Sequence, residues 1–308
     1  MELTARLHPD PHLPPLASAT SVAPSVTISG GTIAALTAAV LLHGRGCSVT
    51  LVHPDLGGAG ESVSTFVPRI HRVRRAHGTA AAKLVAEAQL AAVATISSIV
   101  ERCSIDCDLQ RLPVYLYTEQ RAKVAELKSE ASSAKPAGIA AEWITDVPLP
   151  FATRGAVRYD DQLQLQPLRY LLGMASSLTA RPARRDERRV RIEAHAGTGS
   201  RHAVAIPGGA PAAVFHDAVA NRSIRFSDGI LVVSGGEDVD RFASERFGAE
   251  PSHRWEVMAD VLPSVRSEGA VQHISGSGLL WGTLAGMIVA DTITHGSSAF
   301  SDVATYLD

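Results

Sequence analysis

The chain has 308 residues, 45% of them hydrophobic and 19% charged, with a formal net charge of −2. That length buries one sizeable core, or two lobes sharing one, and the near-neutral balance argues against a global field that draws nucleic acid or an anionic membrane. No run of about 20 apolar residues suggests a membrane span, and the start of the chain, with Glu2 and Arg6 followed by His and Pro, does not read as a secretory signal.

The three cysteines, Cys47, Cys103 and Cys107, are an odd and sparse set, which points to a reducing, cytoplasmic compartment. Cys103 and Cys107 stand four apart, but no His or Cys pair completes a zinc or iron–sulfur pattern, so no metal site is expected. Both read as small, half-buried apolar residues. G-x-S-x-G, H-E-x-x-H and P-loop motifs are absent.

Residues 1–24 are rich in Pro, His and Ser and read as a flexible lead-in. From Ser25 the pattern sharpens. Val26–Ser29 is a short β-type run, Gly30-Gly31 a turn, and Ile33, Leu36, Val40 and Leu41 recur at helical spacing until Gly44 and Gly46. Ser48–Val52 is a second strand, stopped by His53-Pro54-Asp55. Strand, glycine turn, helix and strand in this order form a βαβ unit with parallel strands.

A glycine- and hydroxyl-rich loop, Gly57 to Thr65, leads to a long helix over roughly Thr79 to Arg102. Leu112–Tyr117 reads as a strand, Gln120–Ala134 as a polar, exposed helix, and Val157–Tyr159 as a short extended piece. Pro167 opens a helix that runs to Leu178. Residues 181–191 are a charge cluster, read first as a solvated loop and second as an anion-binding patch. Val190–Ala194, Ala203–Ile206, Ala213–Val219 and Ser223–Phe226 suggest an antiparallel meander, and Gly229–Val233 is a more apolar strand. Val271–Ser275, the turn Gly276-Ser277-Gly278 and a helix carrying Leu280, Leu284, Met287, Ile288 and Ile293 repeat the opening logic.

A dinucleotide fingerprint needs three glycines between strand and helix: one for the turn, one for close approach of the pyrophosphate, one for helix–strand packing. Gly30 supplies the first, Thr32 stands at the second and Ala35 at the third. The acidic residue expected at the end of the second strand is His53. The unit therefore reads either as a nucleotide site or as a scaffold kept without one.

Four stretches carry a family resemblance: ISGGTIAALTAAVLL with VTLVHPD; GAGESVSTFVPRIHRVRRAHGTAAAKLVAEA through SIVERCSIDCDLQRLPVYLY; GAVRYDDQLQLQPLRYLLGMA; and DGILVVSGGEDVDRFASERFG with HRWEVMADVLPSV and HISGSGLLWGTLAGMIVADTITHG. In this order they resemble the FAD-dependent D-amino-acid oxidase and glycine oxidase class, closest to the subgroup often fused to a Rieske domain. The resemblance implies an α/β fold: a Rossmann-like FAD-binding-type domain with a reduced antiparallel β substrate-side lobe. The dinucleotide-type lobe is expected at 25–112 and 228–300, and the substrate-side lobe at about 113–227. The span between Leu178 and Gly229 is short for the family's remaining strands, and no Cys-x-His pair for a Rieske cluster stands in the sequence.

By the same resemblance, Gly30, Gly31, Thr32, Ala35, His53, Ser62, Thr65, Gly276, Gly278, Gly282 and Thr283 are expected to face FAD. His273 is the candidate titrating group because an unperturbed imidazole titrates near neutrality. Arg254 is the candidate carboxylate ligand, and Tyr159 and Gln166 the candidate pocket lining. The expected activity is oxidation of a C–N bond in a small amine or amino acid. The alternative is a flavin-free relative: a cyclase, isomerase or lyase, or a non-catalytic partner of a flavoenzyme. The partners implied are a small-molecule substrate and either a protein partner or a second copy.

Overall fold

The structure is a computed structural model, and it describes residues 24–52, 63–65, 70–178, 189–195, 200–207, 213–227, 230–248, 250–258, 262–276 and 278–307. The elements follow in chain order. β1 (Ser25–Ser29), α1 (Ile33–Gly44) and β2 (Ser48–Val52) form the opening unit. Next come β3 (Val63–Ser64), α2 (Ile70–Arg102), β4 (Gln110–Thr118), α3 (Val124–Ala134), β5 (Ala141–Ile144), β6 (Gly155–Leu165) and α4 (Pro167–Ser176). Then follow β7 (Arg189–His195), β8 (Ser200–Pro207), β9 (Val214–Asp217), β10 (Ser223–Ser227), β11 (Ile230–Ser234), α5 (Val239–Phe247) and β12 (His253–Met258). The chain closes with β13 (Ser264–Glu268), β14 (Val271–Ser275), α6 (Leu279–His295) and α7 (Val303–Leu307).

Two sheets organise these elements. The first has the order β13-β14-β7-β1-β2. Its four inner and outer neighbours β14, β7, β1 and β2 run parallel, and β13 joins antiparallel at the edge. Alternation along the strands gives this sheet two unlike faces. Val26, Ile28, Val190, Ile192 and Ile274 are buried against α1 and α6. The opposite face carries Thr50, Thr27 and Arg191 in one row and Ser29, Glu193 and His273 in the next. The second sheet runs β12-β8-β11-β10-β9-β4-β6-β3, with β5 beside β6, and is antiparallel except for the β4–β9 pair.

Small residues let α1 and α6 meet closely. A Cβ on Gly286 would lie 2.7 Å from the Ala34 carbonyl oxygen and 2.7 Å from Thr37 Cβ. Below them α2 packs on α3, α6 and α7 through Ala82, Val85, Ala86, Leu127, Leu284, Ile288, Val303 and Leu307. Gly78, with φ 87° and ψ 177°, kinks α2, a backbone conformation natural to glycine.

Several expectations are corrected by these elements. The helix expected over Thr79 to Arg102 stands after the kink at Gly78, and a basic helical segment from Ile70, not expected from the apolar period, precedes it. By length and composition alone α2 is apolar enough to cross a membrane, although Lys83 and Glu87 interrupt the run and one side of it packs into the protein's core. The 120–134 segment is not an exposed polar helix: α3 buries Leu127, Glu130, Ala131, Ser133 and Ala134. Val157–Tyr159 lies in the first half of an 11-residue strand.

The principal correction concerns Val190–Ala194. It belongs to β7, the parallel strand between β1 and β14, and not to an antiparallel meander. β9 likewise pairs parallel with β4. The charge cluster at 181–188 lies outside the described residues.

Candidate functional site

In an open α/β sheet, ligands sit beyond the carboxyl ends of the strands, where helix N-termini point. The carboxyl ends of β1 and β14 feed α1 and α6 here, so two helix N-termini meet at one edge of the first sheet. Gly30 turns the chain at φ 105°, and a Cβ there would lie 3.1 Å from the Ala194 carbonyl oxygen of β7. Glycine at this position is therefore required by both the turn and the neighbouring strand. Gly31 is buried behind it.

Thr32 ends the turn as the N-cap of α1. It is extended, at φ −73° and ψ 163°, and its Oγ1 accepts a 3.2 Å hydrogen bond from the Ala35 amide. A hydroxyl at this position satisfies one of the four N–H groups that a helix start leaves over. Ile33 and Ala34 carry the next first-turn amides. Ala35 is fully buried, which is what close packing of helix on strand requires at the third fingerprint position.

The α6 side is built from glycines. A Cβ on Gly276 would lie 2.8 Å from the Trp281 carbonyl oxygen, and Gly278 caps the helix without a side chain at φ 72°. Gly282 faces Ile33 of α1, where a Cβ would come within 3.1 Å of the Ile33 Cβ. Gly30, Thr32, Ala35, Gly276, Gly278 and Gly282 are thus gathered at one edge.

The hydroxyls expected beside them are committed elsewhere. Thr283 is buried and its Oγ1 donates to the Leu279 carbonyl at 2.7 Å. Thr65 Oγ1 accepts from the Leu163 amide at 2.8 Å and donates to Gln162 Oε1 at 3.1 Å, while its own amide donates to the Leu163 carbonyl. Thr65 therefore fastens its segment to β6. His53 and Ser62 lie outside the described residues.

The four candidate catalytic residues do not converge. Arg254 sits exposed on the edge strand β12, its Nε donating to Asp240. The carboxylate it meets is thus Asp240 of the chain itself. Tyr159 is buried and its hydroxyl donates to Glu130 Oε1 at 3.3 Å. Burial, and then the neighbouring Glu130 carboxylate, hold its phenol well above the ordinary range, so it stays neutral. Gln166 is the N-cap residue of α4, its amide donating to the Cys107 carbonyl. His273 lies inside β14, on the face away from α1 and α6, with Nδ1 3.5 Å from Glu193 and Nε2 3.7 Å from Glu268.

Sequence reasoning missed Glu130. This buried carboxylate accepts from the Ile70 amide at 2.9 Å and the His71 amide at 2.8 Å, capping α2 across 60 residues of sequence. Nothing in the α3 pattern distinguishes it from its exposed neighbours. No cluster of three or more His, Cys, Asp or Glu able to bind a metal occurs among the described residues.

The residues at the sheet edge fit a dinucleotide in backbone geometry: a glycine turn against β7 and two helix starts side by side. Thr32 is the departure, since its side chain occupies the amide of Ala35 and adds bulk where a glycine would stand.

Comparison with known proteins agrees with this geometry. Residues 25–233 match the family described as FAD dependent oxidoreductase. The protein YhfW of Bacillus subtilis (strain 168), whose name places it among Rieske 2Fe-2S iron-sulfur proteins, is 30% identical over 192 residues. That match covers 58% of this chain and 38% of YhfW, so the chain spans well under half of that relative's length. Among solved structures, L-proline dehydrogenase from P. horikoshii superposes with a TM-score of 0.67 at 13% identity, covering 92% of this chain and 96% of that one. Glycine oxidase from Bacillus cereus ATCC 14579 gives 0.65 at 12% identity, covering 92% and 98%. L-amino acid deaminase from Proteus myxofaciens gives 0.66 at 13% identity, covering 91% and 92%. At these identities the structures establish the shared fold.

Proposed function

Because this chain belongs to the FAD dependent oxidoreductase family, we propose that it holds FAD along the α1–α6 edge and oxidises a C–N bond of a small amine or amino acid. The observation that carries this reading is the meeting of two helix N-termini at the carboxyl end of the parallel sheet. Helix starts offer amide donors and a partial positive charge to anionic groups. Gly30 and the amides of Ile33 and Ala34 would face the pyrophosphate, and the turn at Gly276–Gly278 the flavin end. When bound, the flavin supplies the two-electron acceptor.

The chain's own contribution is chiefly backbone. Gly278 starts α6 without a side chain, which leaves its amides open to an anion. Gly282 and Gly286 bring α1 and α6 close enough for both starts to address one ligand. A small-molecule substrate and a cytoplasmic location, suggested by three free cysteines, complete the reading.

One observation favours a second reading. The Ala35 amide is spent inside the helix by Thr32, as suits a flavin-free member that performs redox-neutral chemistry or assists a flavoenzyme. The experiment that separates the two is anaerobic mixing of FAD-incubated protein with a panel of amines and amino acids. Bleaching of the flavin absorbance by one class supports C–N oxidation. An unchanged spectrum across the panel, with FAD bound, overturns it.

A further inference from the structure

A cleft of about 780 Å³ opens on the second sheet, between the β9–β10 turn, the loop after β11 and the face of α5. None of its lining residues belongs to α1 or α6, so it is separate from the edge described above. Its most unusual feature is Arg222. The side chain is only 11% exposed, and its guanidinium lies 3.7 Å above the centroid of the Phe242 ring, an arrangement that holds the plane of the group in place. Its Nε is shut off from solvent and has no hydrogen-bond partner among the described residues.

The nearby acids do not consume its donors. Asp217 Oδ1 accepts from the amides of Val219 and Ala220 at 2.8 and 3.1 Å, and Oδ2 stays 3.7 Å from Arg222 Nη1, outside hydrogen-bonding distance. Glu245 takes Arg241 Nε, Asp238 caps α5 through the Arg241 amide, and Glu119 takes Arg246. Glu237 is exposed at the rim. Gly236 makes room for the guanidinium itself: at φ 84° it has no side chain, and a Cβ there would come within 2.6 Å of Arg222 Nη2. The result is a guanidinium paired in charge with Asp217, held flat against Phe242 and lining the cleft, with its Nε sealed from it.

We propose that this cleft binds a small carboxylate with a short apolar tail. Arg222 takes the carboxylate, whose planar pair of oxygens matches the donor fork of a guanidinium. Val219 and Ala220 take the tail. The site is independent of the flavin reading and is tested without FAD.

The test is isothermal titration of the full chain with isovalerate, and in parallel with inorganic phosphate, at fixed ionic strength. Saturable isovalerate binding is expected, weakened by about 10-fold or more in Arg222→Gln, the loss that follows removal of a charged hydrogen-bonding partner. Because Arg222→Gln disturbs a buried group, Val219→Asp is the second variant. Val219 is 43% exposed, so the change leaves the core alone while placing a negative charge at the mouth, and it is expected to weaken isovalerate to a similar degree. Absence of isovalerate binding, equal binding in Val219→Asp, or tighter binding of phosphate than of isovalerate would each overturn the proposal.

Discussion

Replacing Thr32 with glycine tests how the first turn of α1 is used. In the wild-type chain the threonine hydroxyl takes the Ala35 amide at 3.2 Å. Thr32→Gly releases that amide and removes the side chain from the approach to the helix start. The cost to folding is small, since glycine at an N-cap loses only a few tenths of a kcal/mol, whereas alanine loses about 1 kcal/mol. If the released amide donates to a phosphate, the gain is that of a hydrogen bond to a charged group, about 1.5–3 kcal/mol, or about 10- to 150-fold in Kd. Thr32→Ala separates the two effects: it frees the amide but keeps a Cβ, so its gain should be the smaller and its melting temperature the lower. Quenching of FAD fluorescence measures the affinities, and thermal unfolding measures the stabilities. A Thr32→Gly protein that melts normally and binds FAD no more tightly than wild type would refute the placement of the pyrophosphate at this turn.

Other expectations follow from the packing. Glu130→Ala should destabilise the chain by about 2–4 kcal/mol in urea unfolding, since the Ile70 and His71 amides and the Tyr159 hydroxyl lose their acceptor together; Tyr159→Phe should cost about 1 kcal/mol, and similar losses in both would contradict the capping role. Gly286→Ala should cost about 1–3 kcal/mol by forcing α1 from α6, and should weaken FAD binding in parallel, whereas an unshifted unfolding midpoint would show that the helices have room to part. Burial, and then Asp106 and Asp108, push the Cys107 thiol up to about 11. A raised thiol keeps its proton as the unfolded one loses it, so stability from this group declines between about pH 9 and 11. At pH 8 iodoacetamide should modify the half-buried Cys103 well before Cys107, as peptide mass mapping would show; preferential modification of Cys107 would contradict it.

The elements that were legible in the sequence are those whose period matches their burial. α1, β14 and α6 stand close to where their spacing placed them, and Gly30, Ala35, Gly276 and Gly282 sit where two helix starts need small residues. β7 was misread for a physical reason. Parallel strands covered on both faces are continuously apolar, but this one alternates Arg189, Arg191 and Glu193 with Val190 and Ile192, because one face of its sheet carries polar side chains. Thr65 and Thr283 were read as ligand hydroxyls, and only three-dimensional neighbours reveal that both are spent within the protein. Glu130 and Arg222 were invisible for the same reason: Glu130 meets the start of α2, and Arg222 meets Phe242, only in the folded chain.

The account rests most directly on whether the α1–α6 edge holds a flavin. The decisive measurement is the visible absorbance spectrum of the purified chain, taken before and after incubation with FAD and desalting. The account predicts a retained flavin band after desalting, strengthened in Thr32→Gly. Absence of the band in both proteins, with their folds intact, would contradict it and leave the parallel sheet as a scaffold for flavin-free chemistry.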